Sequence, residues 1–411
     1  MSSRVCIIDV TNRDGVQASR TALPKLSKTM INIYLDGMGV YQSEIGFPTL
    51  GHEVNYINAN LELSRIGVIK RMRLEGWCRA IPEDIELALR NCPALKHLNI
   101  CLPTSETMIS AKFSGRKSWK DIIDTLTASV RLAKSMGVET LCIGAEDASR
   151  TDVEKLIEFG LAGKEAGADR FRYSDTVGSD EPISMYDKIR TLTAATGLPI
   201  ELHCHNDLGM AVAVSLAGAQ GAAESGCDAY INTTINGVGE RAGNCDLVST
   251  LLALKFSPSL KDKLICDEHL DLRQSWNIAR YAANAFNIPI PPNQPGVGAN
   301  AFAHESGIHA DGALKDRRSY ELYEPCDVGR GEPELLETGR IITTGEYGGL
   351  KGFRHVYDKL GVSFRSDEEA RKVLNLVQYA NLHTQKPLVP DELKLIANYP
   401  DIASRILTVS P

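Results

Sequence analysis

The chain has 411 residues, 43% hydrophobic and 24% charged, with a net charge of −7 and a pI near 5.8. That is longer than one compact domain usually runs, and the composition is that of a soluble globular protein. The acidic balance argues against nucleic acid or a membrane surface as the main partner, and no apolar run approaches the ~20 residues of a membrane span. The N-terminus passes from Met-Ser-Ser straight into the strand-like Val5-Cys-Ile-Ile8, with no basic leader. Ten cysteines are scattered without a Cys-x-x-Cys, as expected for reduced thiols in a cytoplasmic protein.

Short β-rich runs are predicted at 5–10, 40–45, 72–76, 97–102, 140–144, 170–174, 200–203 and 229–234. Helical patterns fall between them, among them 121–135, 151–166 and 185–195. Glycines such as Gly39, Gly137, Gly167, Gly197 and Gly226 read as helix stops ahead of the next strand. Strand–helix alternation repeated eight times predicts an α/β fold, a (β/α)8 TIM barrel over 1–265. A doubly wound open sheet is the alternative, but the first βα loop lacks Gly-x-Gly-x-x-Gly. After Phe256-Ser-Pro-Ser259 the rhythm changes. A helix at 270–285 leads to the proline-rich 288–298, a polar stretch at 301–314, and a smaller region at 320–365 holding Thr344-Gly-Glu-Tyr-Gly-Gly349. These make 266–365 a linker of small subdomains. The last segment, 366–411, reads as helical and starts with the cap Ser366-Asp-Glu-Glu.

Catalytic side chains of such barrels stand at the C-terminal ends of the strands. Those positions hold Arg13, Asp14, Gln17, Glu44, Glu75, Arg79, Thr104, Glu146, Asp147, Asp175, Thr176, His203, His205, Glu240, Arg241 and Asn244. An isolated Glu-Asp or Asp-Thr there also reads as a helix N-cap. His203 and His205 are two residues apart on one strand, so both rings face the same side, and imidazole is the commonest metal ligand. Asp14 is the natural third ligand across the barrel mouth, and Asn244 could add a fourth through its amide oxygen. Two histidines and a carboxylate leave positions open for a bidentate substrate and suit Mn, Co, Zn, Fe or Mg. Asp207 could instead orient a ligating histidine.

The motifs resemble a family. Arg13-Asp14-Gly15-Val-Gln17, followed after ten residues by Lys28, and Ile200-Glu-Leu-His203-Cys-His205-Asn206-Asp207-Leu-Gly209 are similar to the signatures of the metal-dependent acyltransferases typified by isopropylmalate and homocitrate synthases. Asn236-Gly-Val-Gly239-Glu240-Arg241-Ala-Gly243-Asn244 and Ala303-His-Glu-Ser-Gly-Ile-His309-Ala-Asp-Gly312 extend the match, which covers about 4–330. The resemblance implies a divalent metal on Asp14, His203 and His205 with Asn244 close by, and acetyl-CoA as co-substrate. It implies a Claisen-type condensation with a 2-oxo acid, in a homodimer whose linker covers the partner's active site. Arg13 would polarise the keto oxygen, Thr176 would hold the C1 carboxylate, and Glu146 and His309 would serve acid–base chemistry on acetyl-CoA. Gln17, Glu44 and Arg79 join Thr176 as candidate substrate contacts.

The chain also departs from the family pattern. Asn12 and Val16 stand where a leucine and a glutamate are usual, and Thr343-Thr-Gly-Glu-Tyr-Gly-Gly349 replaces a Gly-Lys-His-Ser-Gly. Gly329-Arg-Gly-Glu-Pro333 takes the place of a phrase that usually leads to a linker tyrosine, whose part falls to Tyr320, Tyr323 or Tyr347. No long regulatory domain follows the linker, so feedback through one is not expected. With Met72-Arg-Leu-Glu-Gly-Trp77, these departures resemble the Re-type citrate synthases, which implies oxaloacetate. Homocitrate synthesis from 2-oxoglutarate is the alternative, with isopropylmalate or citramalate synthesis more remote. The two dicarboxylates differ by one methylene, so a cation must meet the distal carboxylate at the right depth; Arg79 and Arg73 are the candidates. A non-haem iron oxygenase would use the same ligand set, and a non-catalytic binding protein would release no thiol.

Overall fold

Eight parallel strands close into a ring in the computed structural model, which describes residues 3–261, 263–331 and 341–409. They are β1 (Ser3–Asp9), β2 (Gln42–Gly46), β3 (Arg73–Arg79), β4 (His97–Pro103), β5 (Thr140–Glu146), β6 (Arg170–Asp175), β7 (Ile200–Cys204) and β8 (Ala229–Thr233). Each pairs with the next, and β1 pairs with both β8 and β2, which makes the predicted barrel. The β1–β2 contact is short, only Ile8 to Gln42 and Asp9 to Ser43. Below it the free edge of β1 takes a ninth strand, β9 (Leu264–Cys266), in register with Ser3–Val5. Three residues are too few to show a period, so the sequence pattern did not reveal β9.

The helices begin and end as local chemistry dictates. Ser118 caps Trp119–Ser135 by accepting from the Asp121 N–H, while Asp121 accepts from the Ser118 N–H. Val153–Ala166 and Pro182–Thr196 stop at Gly167 and Gly197 in the left-handed conformation. These three are the helices predicted near 121–135, 151–166 and 185–195.

The barrel interior is charged where such barrels usually stack aliphatic side chains. Glu44 of β2, Glu75 of β3, Arg170 and Arg172 of β6, and Glu201 of β7 are all buried and meet in salt bridges. β2 and β6 are not neighbours, so Glu44 and Arg172 can meet only through the barrel centre. The apolar core lies outside the strands, where Ile7, Leu26, Ile31, Leu141, Phe171 and Leu202 are fully buried.

The helix Ser275–Phe286 packs on Lys25–Met38. Beyond it lies Gly307–Lys315, none of whose residues is buried. The C-terminal helices Asp367–Thr384, Pro390–Asn398 and Pro400–Leu407 return to the barrel. Ser366 caps the first by accepting from the Glu369 N–H. The Tyr34 hydroxyl donates to Asp391 at 2.8 Å and that of Tyr281 to Glu392 at 2.6 Å. No helix among the described residues is long and apolar enough to cross a membrane.

Candidate metal centre and barrel mouth

Asp14 follows β1 and starts a 3-10 turn, Gly15–Gln17, that carries its carboxylate over the barrel mouth. His203 lies within β7 and His205 one residue beyond it. Asp14, His203 and His205 are buried, and their candidate ligand atoms lie within 4.8 Å of one another. Asp14 Oδ2 and His205 Nε2 are 4.0 Å apart, too far to bond each other and a separation that two ligands of one divalent ion can take. Asn244 reaches the same place through the bridge between His205 and Asn244. A Cβ built on Gly239 would lie 1.7 Å from Asn244 Oδ1 and 3.4 Å from Asp14 Oδ2, so only glycine fits beside these oxygens. Asp14 Oδ2, His205 Nδ1 and Asn244 Oδ1 are buried with no hydrogen-bond partner among the described residues. Buried polar atoms are rarely left so. This donor set fits a borderline or hard divalent cation.

The ring of His203 is fixed from behind. Its Nδ1 lies 3.1 Å from Asn232 Oδ1, and Asn232 Nδ2 donates to Glu201 Oε1 at 2.9 Å. Nδ1 therefore carries the proton and Nε2 is left for a ligand. Burial, then Arg13, holds the His203 imidazole well below its usual pKa, and burial likewise lowers that of His205. Both rings are neutral, as ligands must be.

The Arg13 guanidinium joins the cradle to the interior charges. Nη1 lies 3.0 Å from Asp14 Oδ1, and Nε is ion-paired to Glu44 Oε2. The other oxygen of Glu44 meets Arg172 Nη2 at 2.9 Å. Burial, then the adjacent Glu201, raises the pKa of Glu75. Burial also acts to raise that of Glu201, but Arg172 and Arg170 outweigh it and keep this carboxyl below its usual range.

Around the rim, Glu146 ends β5 and pairs with Lys112 at 2.7 Å. The Thr176 hydroxyl accepts from the Asp147 N–H at 2.9 Å, which leaves its own proton to donate. Gln17 is exposed at the end of the 3-10 turn. Arg79 ends β3 on the face of Glu75 and Trp77, but it is 64% exposed and held by both oxygens of Asp84 at 2.7 and 2.8 Å. His309 stacks on Tyr320 with ring centroids 4.2 Å apart, on the helix that buries nothing.

Several expectations change. Asp207 does not orient a histidine; it pairs with Arg241 at 2.9 Å, and Arg241 Nη2 donates to the Thr176 carbonyl. Asn232 does the orienting. Asp175 caps its own loop by accepting from Ser179 and Asp180, the bland possibility for an Asp-Thr. Arg73 is the first residue of β3, at the far end of the barrel, where it lies over Tyr41. Asn12 faces away from the mouth and donates to the Lys28 carbonyl and to Asn32, both at 2.9 Å. Thr343–Gly348 borders a separate cavity of about 610 Å³ with Asn381 and Lys386. Arg330 donates to the Gly298 carbonyl at 2.8 Å, while Glu332 and Pro333 of that phrase lie outside the described residues.

The interior residues Arg172, Glu201 and Asn232 were missed by sequence reasoning. The signal was present: charges at every second position of strands otherwise apolar.

Known proteins agree with this architecture. The HMGL-like family model matches residues 4–281, and the model described as homocitrate synthase post-HMGL domain-like matches 297–384. A citrate (Re)-synthase of Dehalococcoides mccartyi is 56% identical over 99% of both chains. A 2-isopropylmalate synthase of Caldanaerobacter subterraneus is 36% identical over 97% of this chain and 96% of its own length. Homocitrate synthase 1 of a Nostoc species is 34% identical over 95% and 96%. Among solved structures, the HMG-CoA lyase of Bacillus subtilis superposes with a TM-score of 0.57 at 19% identity, covering 71% of this chain and 97% of the lyase. That likeness concerns the barrel fold. By the family model over its barrel and by relatives matched over nearly their whole length, the chain belongs to the HMGL-like family, among the isopropylmalate and homocitrate synthases.

Proposed function

We propose that the protein condenses the acetyl group of acetyl-CoA with oxaloacetate, giving citrate and free CoA. The observation that carries this is the buried Asp14–His203–His205 cradle with the Arg13 guanidinium against it, in a chain so close to a citrate (Re)-synthase. A divalent ion held there, Mn, Co, Mg or Zn, supplies Lewis acidity to a ketone oxygen.

The protein's own groups do the rest. Arg13 sits where negative charge develops on the keto oxygen and stabilises it. Thr176 donates its hydroxyl proton to the C1 carboxylate, while Gln17 and Glu44 border the substrate. Glu146, steadied by Lys112, takes a proton from the acetyl methyl, with His309 completing the acid–base pair. The carbanion carbon bonds to the keto carbon as the C=O π pair moves to oxygen, the alkoxide takes up a proton, and water then cleaves the thioester to give the carboxylate and the free thiol. A cleft of about 300 Å³ beside Gly239, bordered by Ala18, Val238, Phe286 and Pro289, suits the pantetheine arm. His309 lies on a helix with no buried residue, which supports a homodimer in which this lid serves the partner's site. Ten free cysteines support a cytoplasmic location.

A free-thiol assay with acetyl-CoA, Mn²⁺ and a panel of 2-oxo acids tests the proposal. CoA release with oxaloacetate, abolished by chelation and in folded His203→Ala and Asp14→Ala variants, is expected. Undiminished turnover after removal of metal would contradict it.

A further inference from the structure

A 2-oxo dicarboxylate gripped at its C1 and C2 oxygens must still place a second carboxylate, and burying that charge requires a cation. At the mouth the cations are engaged: Arg79 by Asp84, Lys112 by Glu146 and Arg241 by Asp207. Within the barrel, Arg170 Nη2 donates to Glu75 at 3.2 Å, its Nε is only ion-paired to Glu201 at 3.3 Å, and the guanidinium lies over the Tyr230 ring.

Arg172 differs. On β6 it is in register with Gly144 and Glu201, one inward step below Ser174, which is level with His203. Its Nε donates to Glu201 at 2.6 Å and its Nη2 meets Glu44 at 2.9 Å. Nη1 is fully buried and has no hydrogen-bond partner among the described residues. Two ion pairs, both on Glu44, link Arg172 to Arg13, the neighbour of the metal cradle. The register partner of Arg172 on β5 is Gly144, which adds no side chain of its own, and Asn99 and Cys101 of β4 lie alongside that glycine.

We propose that Arg172 binds the distal carboxylate of the keto acid through Nη1 and thereby sets the accepted chain length. This rests on the reading of the site as one for a 2-oxo dicarboxylate. Glu44 and Glu201 fix the guanidinium, with Glu75 3.5 Å away. It therefore cannot follow a substrate that is one methylene longer. An apolar pocket separates such homologues by only about 10–200-fold, whereas a polar group left unpaired discriminates far more strongly.

Two experiments decide the matter. In a crystal structure of the wild-type protein with Mn²⁺ and malate, a non-condensing dicarboxylate, the distal carboxylate should lie within hydrogen-bond distance of Arg172 Nη1. That carboxylate resting on another cation overturns the proposal. In Arg172→Gln, KM for oxaloacetate should rise by about 100-fold, the scale of a lost charged hydrogen bond, while KM for acetyl-CoA holds and the preference over pyruvate collapses. A folded variant with undiminished preference sinks the role of Arg172 alone. A wild-type protein inert toward every 2-oxo dicarboxylate sinks the proposed function itself. Arg172 is wholly buried, so if the variant does not fold, the position of malate in the wild-type crystal decides the matter without it.

Discussion

His203 is useful to a metal only when one ring nitrogen is free and the ring is held still. Asn232 meets both conditions, with Glu201 holding the asparagine in turn. Replacing Asn232 by Ala should lower Mn²⁺ affinity by about 10–100-fold with the ligands untouched, as read by titration calorimetry; unchanged affinity would remove Asn232 from the site. The ligands themselves were legible in the sequence, because i and i+2 on a strand share a face and strand ends form the mouth. Their supports were not. Asn232, Glu201 and Arg172 sit on three neighbouring strands, and only the register of β6, β7 and β8 brings them together. Arg79 and Arg73 show the limit in the other direction. Both lie on the strand suspected of reading the substrate, yet one is claimed by Asp84 and the other lies at the wrong end, over Tyr41.

At the scale of elements, the alternation of apolar runs and helix stops was enough to predict every barrel strand, because each is long enough to show its period. The three-residue β9 was not. The C-terminal helices were expected from their cap at Ser366, but nothing in their own pattern says that they dock on Lys25–Met38 and Gly51–Arg65. That docking depends on pairs such as Tyr34 and Asp391, 357 residues apart. Gly39 shows how one residue joins two elements. It ends Lys25–Met38 with φ 83°, and a Cβ there would lie 2.0 Å from the His269 carbonyl oxygen. Gly39→Ala should therefore cost about 2–4 kcal/mol, from the left-handed backbone plus displacement of the 267–271 segment. Urea unfolding measures this, and a loss below ~0.5 kcal/mol would mean that the segment yields freely.

For the whole molecule, the proposed function has Gly307–Lys315 close over a partner's site. Gly307–Lys315 carries Ile308 at 75% and Leu314 at 88% exposure, large apolar groups that a lone chain leaves in water. If the lid serves a partner, mixing the inactive Asp14→Ala and His309→Ala variants should restore activity, since each mixed dimer then holds one intact site. Failure of mixed dimers to recover any activity would place His309 in its own chain's site.

The proposed condensation requires this barrel to clamp a four-carbon 2-oxo dicarboxylate against acetyl-CoA. Equimolar oxaloacetate and 2-oxoglutarate, offered together with Mn²⁺ and [¹³C]acetyl-CoA, test it most directly through the labelled products. Labelled citrate in large excess over homocitrate is the predicted result; homocitrate as the main product would contradict it.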